Sequence, residues 1–324
     1  MAVLAVRSQL TLLELAKRTN NGNLLSIAEV YDETNAIVKD MPMIEANQAT
    51  GHLITRRNSL PAGTFRKLNA GIEAESSSTT QLTEPMCMLE AYSKVDEELI
   101  KLAPDPVTFR NGEDMAFIEG LAQSLADTII YGNMGTYPER INGLHTRYGA
   151  LSMTNVYNGS GSGSDVTSIW IVQWDPVWGV HGIYPRGSKS MGIEAIDMGV
   201  ELVLVSASIP FRAYRTWFKS KVGIAIHDDR CVARYCNIET AVGAAANIFD
   251  EDILIRMLRD RPHEAKGAVI YANRTILSQM DIRSKDKANV NYGTADIYGV
   301  PTTTFRGVPV RQVDAILNTE TALT

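Results

Sequence analysis

Apolar and polar positions alternate differently along the chain and divide it into stretches of distinct character. In residues 8–40, Leu12, Leu13, Leu15 and Ala16 make a narrow apolar face in "LTLLELAKR", with Ser8 placed to cap it. "LLSIAEVYDETN" follows a turn at Asn20-Asn21-Gly22 as a second short helix. Such a piece buries too little to stand alone and must dock on something larger. Over 45–83 the apolar residues thin out to Leu53, Ile54, Leu60, Phe65, Leu68 and Ile72. Strand-like limbs flank Leu60-Pro61-Ala62-Gly63, and the second limb runs into the polar "AESSSTTQLTE". This predicts a long hairpin with almost no core. A lone two-stranded hairpin is marginal in water, so this one needs another surface to lie on.

Helical periodicity returns at "SKVDEELIKL", with Ser93 as a cap, and is clearest at residues 111–133. There Ile118, Leu121, Ala122, Leu125 and Ile129 keep the i, i+3, i+4 stripe, Asn111 caps, Glu113 and Asp114 complement the dipole, and Gly132-Asn133 ends the helix. "YNGSGSGSD" (157–165) reads as a flexible loop. Beyond it, "TSIWIVQW", "GVHGIYP", "VELVLVS" and "AYRTWFKSKVGIAIHD" are strands, and "RCVARYCNI" continues that sheet. Helices follow at "FDEDILIRMLRDR", capped by Asp250, and "YANRTILSQMDIRSK", capped by Asn273. A closing hairpin bends at Gly299-Val300-Pro301 and Gly307-Val308-Pro309. The order α, exposed β, long α, β, α, β is that of an α+β protein and lacks the strict alternation of a Rossmann fold.

Composition narrows the function. With 45% hydrophobic and 21% charged residues the 324-residue chain folds conventionally. A formal charge of −6 argues against a dedicated nucleic-acid binder. The exception is local: Arg56, Arg57, Arg66 and Lys67 lie in "HLITRRNSLPAGTFRKLNAG", which holds no acidic residue. Cys87, Cys231 and Cys236 are an odd, sparse set that fits packing thiols in a reducing compartment. No secretory signal is read at "MAVLAV" and no apolar run approaches the roughly 20 residues of a membrane span, so a soluble, cytoplasmically made protein is expected.

The search for chemistry returns little. "GSGSGSD" lacks the Gly-Lys-Ser/Thr ending of a phosphate-binding loop, and its GxSxG letters lack a strand-elbow-helix context. "YPRGSKS" could hold an anion over Gly187, but a surface turn is the simpler account. His227-Asp228-Asp229 invites a metal-dependent hydrolase, yet adjacent residues of a strand point to opposite faces. The histidines at 52, 145, 181, 227 and 263 show no HxH or HExxH spacing. Trp170, Trp174 and Trp178 read as sheet packing. No cofactor and no catalytic residue is expected.

What remains is architecture: a docking arm, a basic hairpin without a core, a long helix and a β-rich body. Together these stretches resemble the major capsid proteins of tailed bacteriophages with the HK97-like fold, nearest the coat proteins of some short-tailed phages. "LLELAKRTNNGNLLSIAEVYDETNAIVKDMPMIEAN" is similar to the N-terminal arm, "GHLITRRNSLPAGTFRKLNAGI" to the extended E-loop, and "EDMAFIEGLAQSLADTIIYGN" to the spine helix. "YANRTILSQM" and "YGTADIYGVPTTTFRGVPVRQVDAIL" resemble the Met-Asn-Arg helix and the closing F-x-G-x-P-V hairpin, with "YAN" departing mildly. The likeness runs from about Leu12 to Leu317.

The resemblance implies an N-terminal arm over 1–50, an E-loop hairpin over 51–83 and a peripheral domain with the spine helix (about 111–131) over 84–156. A β-rich middle shared by peripheral and axial domains spans 157–235, and axial helices with the closing hairpin span 236–324. It implies a non-enzymatic shell protein that self-assembles through hexamers and pentamers and encloses double-stranded DNA in a virion built in the host cytoplasm. Portal and scaffolding proteins, and a decoration protein, are the implied partners. An encapsulin-type compartment is the related alternative. Lys67 is available for cross-linking, but the sequence marks no Asn partner. Arg56, Arg57, Leu60, Phe65, Arg66 and Lys67 are expected to contact a neighbouring subunit. Its receiving acidic surface would come from Glu97, Glu98, Glu113, Asp114 and Glu119, with Glu84, Glu90 and Asp96 as further candidates. Exposed ion pairs of this kind are worth about 0–1 kcal/mol each and mainly set register.

Overall fold

The computed structural model describes residues 18–20, 23–24, 33–188, 192–206, 209–241, 247–285, 292–297 and 300–324. The helix expected at "LTLLELAKR" and most of "LLSIAEVYDETN" lie outside these residues. β1 (Thr19–Asn20) pairs antiparallel with β2 (Asn23–Leu24). The chain divides into two compact units, each discontinuous in sequence. One comprises 1–34, 88–126 and 189–221, and the other 35–87, 127–188 and 222–324.

In the second unit, α1 (Ala36–Asp40) precedes β3 (Met43–Glu45), β4 (Gly51–Ser59) and the first part of β5 (Ser78–Asp96). β4 and β5 pair antiparallel from Gly51↔Pro85 to Ser59↔Ser78. β3 pairs parallel with β8 (Val180–Tyr184), which pairs antiparallel with the last residues of β10 (Ile209–Ile226).

The body of this unit is a larger sheet. β6 (Val156–Asn158), β7 (Val166–Gln173), β11 (Val232–Glu239), β12 (Ala268–Ala272), β13 (Tyr292–Ile297), β14 (Val300–Phe305) and β15 (Val308–Gln312) lie in the order β13-β14-β15-β12-β7-β11-β6. β7 is central and buried at every position, and its middle, Ile169 to Val172, is a continuous apolar run rather than an alternating one. α4 (Glu251–Arg259) and α5 (Arg274–Ser284) pack on this sheet through Leu254, Met257, Ile276 and Met280. The expected caps are in place: Asp250 accepts from Asp252 N and Asn273 from Ile276 N. β11 pairs with β7, as the pattern suggested, but β8 and β10 belong to a different sheet, so the strands read as one sheet are divided between two. The closing segment forms three strands, with β15 parallel to β12, where a single hairpin was expected.

The "GSGSGSD" loop is not the flexible linker its composition suggested. Gly159 N and Gly161 N donate to Cys236 O and Asn237 O, both at 2.8 Å. A Cβ at either glycine would meet the Asn237 carbonyl at 2.7 or 2.6 Å, so glycine is required by close backbone approach.

The first unit contains β9 (Ile193–Ser206) antiparallel to β10, α2 (Glu97–Leu102) and most of α3 (Pro106–Tyr131). Its core joins Val95, Leu99, Ile100, Ala103 and Phe109, with Tyr214 against them. Phe117 of α3 stacks on Phe218 of β10, centroids 5.8 Å apart. β5, β10 and α3 each contribute residues to both units.

Two helix starts differ from expectation. α2 is capped by Asp96, whose Oδ1 accepts from Glu98 N at 2.8 Å, while Ser93 is buried within β5. α3 begins at Pro106, not Asn111. Asp105 accepts from Val107 N and Thr108 N at 3.1 and 3.3 Å and takes the Thr108 hydroxyl at 2.7 Å. Proline fits the first helical position because its missing N–H would be unpaired there anyway. Asn111-Gly112 looks like a break but is carried inside the helix, because Phe109 anchors the preceding turn in the core. Asp105→Ala is expected to cost about 1 kcal/mol in denaturant unfolding, with Asn111→Ala near neutral.

Candidate assembly interface

The hairpin of β4 and β5 is built by period-two alternation. His52, Ile54 and Arg56 share one face; Thr55 and Arg57 take the other. Ile54 is buried against Ile183, Ala225 and Met86. Arg56, on the same face, is drawn to its own chain. Its Nη1 donates to Asp229 Oδ2 at 2.8 Å and its Nη2 to Ile226 O at 2.5 Å. Arg56 therefore roots the hairpin, while Arg57 faces outward and is exposed.

The strands end at Ser59 and Ser78, with the hairpin held there by Ser59 Oγ···Ser78 Oγ at 2.8 Å and by Asn58 Nδ2 donating to Thr80 Oγ1. Ser78, Thr79 and Thr80 of the polar tract thus pair across the hairpin. Residues 60–77 form no strand, so Leu60-Pro61-Ala62-Gly63 is not a tight tip between regular limbs. Glu75 Oε2 folds the loop on itself by accepting from Ala62 N at 2.8 Å and Gly63 N at 3.3 Å.

The exposed end is less basic than the quoted stretch suggested. Arg57, Arg66 and Lys67 are offset by Glu73 and Glu75 on the returning limb. What stands out is apolar: Phe65 is 105% exposed, Leu68 91%, Leu60 74% and Ile72 62%. A loop that offers four large apolar side chains to solvent has no covering partner among the described residues.

The acidic candidates are largely engaged at home. Glu84 is buried and held by Arg147 through bonds of 2.8 and 2.5 Å, which removes it from any surface. Glu97 pairs with Arg212 at 3.0 Å and Lys101 at 3.1 Å, and Glu98 pairs with Lys101 at 2.8 Å. Glu113 meets Arg18 at 2.9 Å, Asp114 accepts from the Thr216 hydroxyl at 3.1 Å, and Glu119 accepts from Gln123 at 3.1 Å. Glu90 is exposed; Asp96 is spent as the α2 cap.

The other motifs resolve as packing. Asp228 binds Arg230, Asp229 binds Arg56, and the His227 ring instead faces His52 and His181. The proposed hydrolase triad does not converge. Gly187 N donates to Glu45 Oε1 at 2.7 Å, so this turn already carries its own anion. The three cysteines are buried free thiols, and burial pushes Cys231 up to about 12 and Cys236 up to about 11. Trp170 is buried beside Arg234, and Trp174 donates to the Tyr271 hydroxyl at 2.6 Å.

One structural centre carried no sequence signal. Arg234 and Glu320, both nearly inaccessible, pair at 2.8 Å. Arg234 also donates to Ser168 Oγ and Tyr148 O, and Glu320 accepts from Ser168 Oγ and Tyr131 Oη, both at 2.5 Å. Glu320 lies far along the chain from its partners, in a segment without periodicity.

The family model for major capsid protein GP7 matches residues 19–324. The chain belongs to this family of major capsid proteins. A bacteriophage Epsilon15 structure is 29% identical, with each chain covered over 100% of its length and a TM-score of 0.67. The bacteriophage JBD30 capsid is 11% identical, covering 89% of this chain and 93% of that one at a TM-score of 0.48. An encapsulin complex from Synechococcus elongatus is 11% identical, covering 73% and 97% at 0.44. No curated protein matches. The coat protein thus has the HK97-like α+β fold and builds an icosahedral phage shell of its own copies, as a structural component of the virion. The apolar loop and its exposed end are features of this coat protein that self-assembly can use.

Proposed function

We propose that the coat protein closes its shell by laying the 51–83 hairpin, as the E-loop, on a neighbouring copy. The observation that carries this reading is the exposed set Leu60, Phe65, Leu68 and Ile72 on a loop that its own chain leaves uncovered. Burial of each such side chain is worth about 1.5–3 kcal/mol, well above the about 0–1 kcal/mol of an exposed ion pair. Arg57, Arg66 and Lys67 then set register on the neighbour rather than strength. Many modest contacts repeated around hexamers and pentamers add up through multivalency.

In this reading residues 1–50 serve as the arm, α3 as the spine, and the β-rich middle with 236–324 as peripheral and axial parts. The shell has no catalytic role, assembles in the host cytoplasm with scaffolding and portal proteins, and encloses double-stranded DNA held without sequence reading. A decoration protein fits the same scheme. The test is expression of the chain, followed by size-exclusion chromatography and negative-stain imaging. Closed particles of megadalton mass are expected. A stable, monodisperse monomer under all assembly conditions would overturn the proposal.

A further inference from the structure

The histidines that look scattered in sequence do not stay scattered. His52 of β4, His181 of β8 and His227, which follows β10, come together in one unit. One ring nitrogen from each lies within 4.8 Å of the other two. The ring centroids are 5.0 Å apart for His181–His227, 5.5 Å for His52–His181 and 6.3 Å for His52–His227. His181 is 1% exposed and has no well-formed hydrogen bond at either ring nitrogen, although the Asp175 backbone acts on the ring; His227 Nε2 is likewise buried and unpartnered. His52 Nδ1 takes only a long bond of 3.4 Å from Asn47 N.

Buried imidazole nitrogens ordinarily find partners, and a fully buried His181 packed against two other imidazoles needs an explanation. We propose that His52, His181 and His227 form a binding site for a borderline-soft divalent transition metal, with Zn²⁺ as the best fit. Three neutral imidazoles plus one exchangeable ligand is a recurrent Zn²⁺ donor set. Zn–N bonds of about 2.0–2.1 Å place tetrahedral donors roughly 3.4 Å apart, so the rings close by rotation about their side-chain torsions. Burial holds all three rings below the usual histidine range, His181 down to about 4, which keeps them in the unprotonated form that ligates at neutral pH. The carboxylates of Asp175 and of Glu84, the latter paired with Arg147, act on these rings, and the charge of Arg56 opposes them at His227.

The bound ion would tie the root of β4 to β8 and to the end of β10. It would brace the base of the hairpin beside Arg56, and its binding requires no neighbour.

The test uses the full-length protein, both as unassembled subunits and as particles, titrated with Co²⁺ as a spectroscopic probe and then competed with Zn²⁺. One Co²⁺ per chain is expected, with intense visible ligand-field bands that Zn²⁺ abolishes. His181→Gln and His227→Gln should each weaken binding by at least about tenfold, while His263→Gln, outside the cluster, leaves it unchanged. Zinc-edge X-ray absorption of the wild-type protein reads the site without any variant, and a first shell of three imidazoles is expected. Absence of the bands at saturating Co²⁺, bands that survive in a His181→Gln/His227→Gln variant, or a shell of water oxygens would overturn the proposal.

Discussion

Glu320→Ala is expected to lower the stability of the coat protein by about 3–5 kcal/mol. The carboxylate is almost wholly buried and satisfies three donors at once: Arg234 Nη2, the Ser168 hydroxyl and the Tyr131 hydroxyl. Its removal strands the Arg234 guanidinium beside Trp170, out of reach of water, with a full charge and fewer hydrogen bonds. The stranded charge, more than the lost attraction, sets the cost. For the same reason Arg234→Met/Glu320→Leu, which removes both charges, should cost less than Glu320→Ala alone. The segment around Glu320 also closes on β7 through Val166 N→Glu320 O and Glu320 N→Val166 O, and these backbone bonds are common to all variants. Denaturant unfolding of unassembled subunits measures the effect. A loss below about 1 kcal/mol for Glu320→Ala, or a double variant worse than the single, would show that the pair is not the buried centre described above.

Phe65→Asp/Leu68→Asp is expected to abolish shell formation while leaving the subunit as stable as the wild type. Both side chains are fully exposed and touch nothing that holds their own chain together, so surface substitution there should move stability by no more than about 0.5 kcal/mol. Against a neighbour, two carboxylates replace two buried apolar groups worth about 1.5–3 kcal/mol each, and the loss recurs at every subunit. Charge reversal of Arg57, Arg66 and Lys67 to Glu should do less, slowing assembly and raising its salt dependence, because exposed pairs contribute little strength. Arg56→Glu belongs to a different class, since it breaks an intrachain pair with Asp229 and should destabilise the subunit itself. Circular dichroism and unfolding, read beside particle yield, separate these outcomes. Normal shells from the Phe65→Asp/Leu68→Asp protein would remove the hairpin from the assembly interface.

Much of the local architecture was legible without coordinates. The long helix announced itself by its stripe, and Leu121, Leu125 and Ile129 are buried as that stripe requires. The caps at Asp250 and Asn273 followed from side-chain chemistry alone. The hairpin was readable because few apolar residues interrupt a long polar stretch. Other readings failed for identifiable reasons. Asn111 reads as the cap that starts the long helix, yet the helix begins at Pro106, because burial of Phe109 fixes the preceding turn and tertiary packing overrides propensity. "GSGSGSD" has a linker's composition, but its glycines serve close contact with β11. Adjacent Arg56 and Arg57 were assigned one role, although strand alternation sends them to opposite faces.

The sequence by itself determined the α+β class, the presence of a limb too poor in apolar residues to fold on its own, and the kinship with phage coat proteins. The first two are matters of periodicity and composition, which act between residues close in the chain, while the kinship rests on the resemblance of whole stretches. Only the tertiary structure decided which charges are spent at home, that Arg234 meets Glu320, and that His52, His181 and His227 share one place. Those depend on strand register and on residues far apart in sequence brought together by burial, and no spacing along the chain encodes them.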